Sequence, residues 1–347
     1  KMVHGGLRYL ATGKVGVAWE SAVERACIAQ HVAPHLVHPF AQLVPIFDST
    51  TRKDLAITRA GLTAGDALRR ASRLPSSRLP GPSRINVDRV RELIPAVQTD
   101  GLRGAFVSWD FKLEDGARLI TRARAISIAA DGAHVEDTLD GGEFEIRARN
   151  VINATGVWAG TLDPQVELTP SRGTHLVLPA AALGRPKASL TVPVPDHFGR
   201  FVFTIPQFDD LVYIGLTDVP APGPIPDVPR PDADEVDWIL DVFNRSLNKA
   251  VTRADVIGSF AGLRPLAANP AEGAATADIS RHHLITGGPG EVITVTGGKL
   301  TTYRRMAQDA VDKISDVKCQ TQRIALVGAG ATPTEPTIPH RLERRFG

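Results

Sequence analysis

Residues 295–314 carry the pattern on which the chemistry of this sequence depends most. They read as a buried strand that ends in Gly297 and Gly298, a polar corner at residues 299–302, and a helix with one apolar face. Paired glycines let the backbone approach a ligand closely, and a first helical turn offers unpaired N–H groups at the positive end of the helix dipole. The pattern therefore predicts a site for an anion or an electron-rich ring. An ordinary strand-to-helix turn would explain the same residues equally well.

The start of the sequence places His4, Gly5, Gly6, Arg8 and Tyr9 within one short segment. Glycine again permits close backbone approach, and a guanidinium next to a phenol offers a cationic fork and a hydroxyl to one ligand. The alternative is a glycine kink followed by a surface arginine.

Arg264 stands in an apolar run at residues 255–266. Buried arginines are rarely tolerated without an anionic partner, so this position indicates a bound carboxylate or phosphate, or equally a salt bridge within the chain.

A nearly continuous apolar run at residues 151–154 predicts a buried strand. Thr155, Gly156 and Trp158 follow at its carboxyl end, where α/β sheets bind ligands.

Composition excludes several classes of function. With 347 residues, 43% hydrophobic and 22% charged, the chain is typical of a globular protein with more than one domain. A net charge of +2 without a basic stripe argues against nucleic-acid binding. No apolar run reaches the length of a membrane span.

The cysteines and histidines predict no metal site. Cys27 and Cys319 are far apart, so the spacing indicates neither a disulfide framework nor zinc, and a reducing compartment is expected. His31, His35 and His38 lie about one turn apart, but the prolines between and after them break any helix that would align them.

The elements that must position these residues alternate between helices and strands. Helices are predicted over residues 15–30, 51–70, 88–94 and 232–247, strands over 104–111 and 169–179, and an antiparallel hairpin over 200–218. Residues 125–130 and 144–148 are expected to form a hairpin-like pair, and residues 72–84 a mobile surface loop.

Taken together and in order, eight segments resemble the FAD-dependent glycerol-3-phosphate dehydrogenases, within the glutathione-reductase-like and amino-acid-oxidase-like flavoproteins. They are KMVHGGLRYL, DGARL, VINATGVWAG, SRGTHLVLP, YIGLTD, AGLRPL, DISRHH and TGGKLTTYR. The actinobacterial type is most similar, through HGGLRYLATG and APGPIPDVP. One departure concerns the family's N-terminal G-x-G-x-x-G loop for the FAD pyrophosphate, which this sequence does not contain. Because Lys1 is not an initiator Met, we expect that loop to lie outside the given sequence.

The resemblance implies an α/β fold with a discontinuous Rossmann-type FAD-binding domain and an antiparallel β-sheet substrate domain. The predicted boundaries are residues 1–30, 112–160 and 284–316 for the FAD-binding domain and 31–111 and 161–283 for the substrate domain. Residues 317–347 are expected to be a linker and the start of a truncated C-terminal helical domain.

The reaction implied is oxidation of sn-glycerol 3-phosphate to dihydroxyacetone phosphate by hydride transfer to flavin N5, as part of glycerol metabolism. Electrons would pass to a membrane quinone, from a peripheral position at the cytoplasmic face of the cell membrane, with a homodimer as one expectation. A glycerol-3-phosphate oxidase that uses oxygen, or an amino-acid or amine oxidoreductase of the same fold, stays open.

The resemblance also assigns roles to residues. The catalytic candidates are His175 as base, Arg264 as a stabiliser of the alkoxide and His4 as a second base. Substrate binding falls to Arg8, Tyr9, Thr217, Asp218, Arg281 and Lys299, with Arg264 as a further phosphate cation. The FAD-binding candidates are Lys1, Met2, Val3, His4, Gly5, Gly6, Ala154, Thr155, Gly156, Trp158, Gly297, Gly298, Lys299, Leu300 and Thr301. No metal is expected.

Overall fold

A computed structural model describes residues 2–11, 13–113, 122–195, 197, 200–207, 209–267 and 282–326. Within these ranges the helices are α1 (Leu7–Ala11), α2 (Val15–Cys27), α3 (Arg52–Ala71), α4 (Val87–Leu93), α5 (Ala159–Leu162), α6 (Ala233–Asn244) and α7 (Tyr303–Val311). The first strands are β1 (Met2–Val3), β2 (Val37–Phe47), β3 (Ser83–Ile85), β4 (Leu102–Leu113), β5 (Ala123–Ala129), β6 (Gly132–Asp137), β7 (Glu143–Arg147) and β8 (Ile152–Asn153). They are followed by β9 (Leu168–Pro179), β10 (Ser189–Pro193), β11 (Phe201–Pro206), β12 (Leu211–Gly215), β13 (Val219–Pro220), β14 (Gly258–Ala267), β15 (His283–Thr286) and β16 (Ile293–Gly297).

The main sheet of the described chain has ten strands. Its path runs β1-β4-β2-β10-β11-β12-β9-β13, with β14 also paired to β9 and β3 to β4. All its pairings are antiparallel except that of β10 with β2. The hairpin predicted over residues 200–218 is confirmed as β11 and β12.

One face of this sheet is closed by helices and the other faces a cavity. Residues Val90 and Ile94 around α4, with Ile239 and Phe243 of α6, pack into the largest apolar cluster together with strand residues such as Leu176. Side chains alternate between the two faces of a strand. The strands therefore present His175, Tyr213 and Phe260 to the opposite, open face.

A second apolar cluster joins α2 to the N-terminal strand. It contains Val3 and Phe111 and also Leu74 and Leu79, which are both buried. The prediction of a surface loop over residues 72–84 is therefore wrong for these two leucines, because they pack in a cluster with residues of α2 and β4.

Residues 123–147 form a three-stranded meander. The two strands predicted there do not pair with each other, because β6 lies between β5 and β7. The pattern missed β6 because Val135 is its one buried residue.

The stretch at residues 295–314 adopts the predicted strand, corner and helix. Strand β16 is central in a second three-stranded sheet of order β15-β16-β8, and α7 packs against it. The prediction of a buried strand at residues 151–154 is wrong in part: β8 lies at the edge of this sheet, and Ile152 is 38% exposed. Strand β1 pairs with β4 of the main sheet; the domain boundaries remain a prediction.

Candidate active site

His175 lies in the middle of β9, between the neighbouring strands β12 and β14. The register pairs it with Gly215 on one side and Phe260 on the other. Its imidazole stacks on the Phe260 ring with 5.0 Å between centroids and 7° between planes. A Cβ at residue 215 would lie 2.6 Å from His175 Cδ2, so the space for the imidazole depends on glycine at that position.

The environment of His175 keeps its ring neutral. Burial, with the positive charge of Arg264 as a second cause, lowers the pKa of His175 from 6.5 to about 4. Its Nδ1 is buried without a hydrogen-bond partner among the described residues. His175 lines the cavity, and a neutral imidazole is able to accept a proton from a ligand.

Arg264 lies on the same face of β14 as Phe260, and its register partner on β9 is Ser171, four residues from His175. Its Nη2 donates to the Thr217 carbonyl oxygen (3.1 Å), and its Nη1 contacts Ser171 Oγ (3.2 Å) and Asp218 Oδ1 (3.5 Å). The guanidinium passes over Gly173, where a Cβ would lie 2.2 Å from Nη2. An internal carboxylate therefore accompanies this arginine, which was one of the two alternatives open from the sequence.

The structure brings the two glycine-containing segments of the sequence together. The backbone N–H of His4 donates to Thr301 Oγ1 (3.3 Å), and that of Gly6 donates to His4 Nδ1 (3.2 Å). Gly297 and Gly298 have φ values of 69° and 75°, in the region that favours glycine. The beginning of the chain thus meets the corner before α7.

Two functional candidates that contact this segment, Asp110 and Arg25, were not predicted from the sequence. Asp110 accepts hydrogen bonds from the Gly5 N–H (2.9 Å), from Arg25 Nη1 (2.6 Å) and from Gln42 Nε2 (3.1 Å). A Cβ on Gly5 would lie 2.3 Å from Arg25 Nη1. A carboxylate inside the apolar strand predicted over residues 104–111 was the signal that could have identified Asp110.

Lys299 is directed toward α2. Its Nζ donates to the Val17 carbonyl oxygen (3.3 Å) and to Ser21 Oγ, and it lies 4.6 Å from the centre of the Tyr9 ring. Arg8 belongs to α1, but its side chain lies outside the described part of the structure, as do Lys1 and Arg281.

The segment after β8 forms a turn at the sheet edge. Asn153 Oδ1 accepts from the Thr155 hydroxyl (2.7 Å), Gly156 has a φ of 64°, and Trp158 is exposed. Ala154 is also exposed, and Leu300 is exposed near the corner before α7.

A cavity of about 2010 Å³ lies over the open sheet face. The predicted site residues among its lining are Met2, His4, Gly5, Tyr9, His175, Thr217, Asp218 and Arg264. Within the described residues no cluster of His, Cys, Asp and Glu could hold a metal ion, and no helix combines the length and apolarity needed to cross a bilayer.

The arrangement fits a large, flat, partly polar ligand. A Cβ at Gly262 of β14, which pairs with Gly173, would meet nothing within 4 Å, so the sheet is open at this position of β14. His175 and Arg264 both line the cavity and give it polar groups. These features fit FAD together with a small substrate.

The sequence is similar to that of known FAD-dependent oxidoreductases. The family model described as FAD dependent oxidoreductase matches residues 1–304. Glycerol-3-phosphate dehydrogenase 1 of Mycobacterium tuberculosis is 44% identical over 375 residues, which cover 100% of this chain and 73% of that protein. The human mitochondrial glycerol-3-phosphate dehydrogenase is 29% identical, and the match covers 100% of this chain and 52% of that protein.

Solved structures show the same fold. Glycerol-3-phosphate dehydrogenase from Bacillus halodurans, complexed with FAD, has a TM-score of 0.65 at 24% identity over 93% of this chain and 58% of its own. L-alpha-glycerophosphate oxidase from Mycoplasma pneumoniae, with FAD bound, has a TM-score of 0.60 at 12% identity, and the match covers 94% of this chain and 87% of the oxidase chain.

These matches confirm the predicted α/β flavoprotein fold, the resemblance on which it was based and FAD as the cofactor. Since the family model matches most of the chain and a 44% identical relative is covered over 73% of its length, this chain belongs to the family of FAD-dependent oxidoreductases.

Proposed function

We propose that this chain oxidises sn-glycerol 3-phosphate to dihydroxyacetone phosphate. The observation that carries the proposal is the placement of His175 and Arg264 on one open sheet face, beside a cavity that Tyr9 and His4 also line. A neutral imidazole and a fixed guanidinium are the groups that an alcohol with an attached phosphate requires. The name and identity of the mycobacterial relative support the same substrate.

The phosphate needs fixed cations and hydroxyl donors. Arg264 is one of the cations that line the cavity, and Tyr9 offers a phenol. We assign Arg8, Arg281 and Lys299 to the same group by their positions in the sequence. Asp218 contacts Arg264 Nη1 (3.5 Å) and would orient the guanidinium.

The alcohol must lose its hydroxyl proton as its carbon is oxidised. His175 is neutral at pH 7 because its pKa is about 4, and it lines the cavity, so we assign its imidazole as the base. An approaching phosphate dianion would raise this pKa and make the imidazole a stronger base. His4 Nδ1 already accepts a hydrogen bond from Gly6, which favours His175 as the base.

FAD, when bound, supplies the hydride acceptor at flavin N5. We assign its binding to residues 1–6, 154–156, 158 and 297–301. The close approach of His4 to Thr301, with the left-handed Gly297 and Gly298 beside them, supports one continuous surface of backbone for the cofactor.

For the electron acceptor we propose a membrane quinone, reached from a peripheral position at the cytoplasmic face, with a homodimer as the working assembly. Oxygen is the second candidate, and the likeness to the Mycoplasma oxidase supports it at the level of fold.

The test is an anaerobic visible spectrum of the full protein before and after addition of sn-glycerol 3-phosphate. We expect the flavin band near ~450 nm to bleach and then to return when a soluble quinone analogue is added, but more slowly with oxygen. Faster return with oxygen would assign the oxidase reaction. A flavin band that responds to amino acids and not to glycerol 3-phosphate would overturn the substrate.

A further inference from the structure

Glu235, in the first turn of α6, is a buried carboxylate next to the active-site strands. It is 6% exposed. Its Oε1 accepts a hydrogen bond from Thr217 Oγ1 (2.6 Å), and its Oε2 accepts from Arg172 Nε (2.7 Å) and the Asp232 N–H (3.2 Å). Both oxygens are thus used, and one partner lies on β9 itself.

Thr217 connects this carboxylate to Arg264. The Thr217 hydroxyl also accepts from the Thr174 N–H (2.9 Å), so the side chain is held between α6 and β9. The Thr217 carbonyl oxygen accepts from Arg264 Nη2 (3.1 Å). A shift of Thr217 would therefore move an acceptor of the guanidinium and also Asp218, the next residue, which contacts Nη1.

The role of Glu235 exceeds that of an ordinary helix cap. Helix α3 has the same reciprocal capping arrangement, formed by Thr51 and Asp54, and there the carboxylate is exposed to solvent. A cap requires a single oxygen to accept the N-cap N–H. In α6 that oxygen is Oε2, whereas Oε1 is directed at Thr217. Burying a carboxylate is costly, so the additional contacts of Glu235 call for a function beyond capping.

We propose that Glu235 is a positioning residue for the proposed reaction: through Thr217 it sets the place of the Arg264 guanidinium in the cavity. The inference rests on the function proposed above for this site. The effect of Glu235 would pass through Thr217 and not through a direct contact with substrate or cofactor.

The experiment is a double-mutant cycle between Glu235→Ala and Arg264→Lys, read by anaerobic single-turnover reduction of the flavin by glycerol 3-phosphate. We expect Glu235→Ala alone to lower the rate constant divided by the apparent Kd roughly 10- to 100-fold, because small displacements of a reacting group cost this much. In the Arg264→Lys background the same change should cost less than about threefold, since coupled residues are not additive.

Further variants separate the effect of the Thr217 hydroxyl from that of the negative charge on Glu235. Thr217→Val removes the hydroxyl at nearly constant shape and should reproduce the Glu235→Ala loss, whereas Thr217→Ser should retain most of the rate. Glu235→Gln keeps an oxygen for Thr217 and should fall between the wild type and Glu235→Ala. Should Glu235→Ala fail to fold, the cycle between Thr217→Val and Arg264→Lys gives the same answer.

Two controls on the same helix define a purely structural effect. Asp237 pairs with Arg253 in solvent, so Asp237→Asn should leave the rate unchanged. Ile239 is fully buried, and Ile239→Val should lower the melting temperature without changing the rate. A loss from Glu235→Ala of equal size in both Arg264 backgrounds would overturn the inference. Absence of flavin reduction in the wild-type protein would instead overturn the proposed function.

Discussion

The imidazole of His175 lies parallel to the ring of Phe260, 5.0 Å from it between centroids, while Tyr213 meets the same Phe260 ring edge-on at 5.3 Å. The three side chains come from three adjacent strands, β9, β14 and β12. Their packing buries the imidazole and fixes its plane, and it leaves Nδ1 without a partner among the described residues. The acid–base behaviour of His175 follows from this packing.

Stability should fall as the pH is lowered from about 6.5 to about 4. The pKa of His175 is lowered in the folded state, first by burial and then by Arg264. Between pH 6.5 and about 4 the imidazole is protonated in the unfolded chain but not in the folded chain. The contribution of His175 to the free energy of unfolding is therefore complete above pH 6.5 and is lost as the pH falls through about 4. Its size is about 3 kcal/mol at most. Urea unfolding at several pH values, compared between wild type and His175→Asn, measures it; parallel curves for the two proteins would contradict it.

Loss of the His175 base should slow flavin reduction and spare cofactor binding. For His175→Asn we expect a rate of flavin reduction lower by roughly 10²–10⁴, the usual contribution of a general base. FAD content, read from the ratio of visible to protein absorbance, should stay at the wild-type level. Phe260→Leu is the matched control, since it loosens the ring plane but keeps the base, and should cost less. An unchanged rate in His175→Asn would transfer the role to His4.

Gly5→Ala should weaken FAD binding. The added Cβ would lie 2.3 Å from Arg25 Nη1, so the guanidinium must move and its ion pair with Asp110 must stretch. The backbone of residues 4–6 would then lose its support, and we expect a fall of about tenfold or more in FAD affinity, measured by titration of the apoprotein.

The control for this substitution is Gly61→Ala in α3. Nothing lies within 4 Å of a Cβ there, so it should leave FAD binding unchanged and stabilise the fold by about 0.5–1 kcal/mol. Equal FAD affinities for Gly5→Ala and wild type would remove Gly5 from the cofactor site.

Glu24→Ala should destabilise the fold strongly. Glu24 and Arg304 form a bidentate pair with distances of 2.6 and 2.8 Å, and both side chains are 4% exposed. Removing one partner leaves the other charge buried, which costs about 3–5 kcal/mol. By contrast, Arg305 pairs with Asp309 closer to solvent, and Arg305→Ala should cost about 1 kcal/mol or less. Chemical denaturation of both variants gives the comparison; similar losses would show that burial of the pair contributes little.

Much of the secondary structure could be predicted because its signals are local. Asp232 and the apolar stripe that follows it indicate α6, and the alternation around residues 207–210 indicates the β11–β12 hairpin. Strand β6 and the buried Leu74 and Leu79 escaped prediction. The first has too few apolar residues for a pattern, and burial of the leucines depends on α2 and β4, which are distant in sequence.

The sequence by itself determined the family and the identities of the candidate site residues, because motif spacing and residue type are properties of neighbours along the chain. Tertiary structure alone decided how those residues behave. The register of β9 with β12 and β14 buries His175 and lowers its pKa, and the same register places Arg264 over Gly173. The link from Glu235 through Thr217 to Arg264, and the support of Gly5 by Asp110, arise from contacts across 18, 47 and 105 residues. Such contacts depend on how whole elements pack, and burial and charge at a site are the sum of that packing.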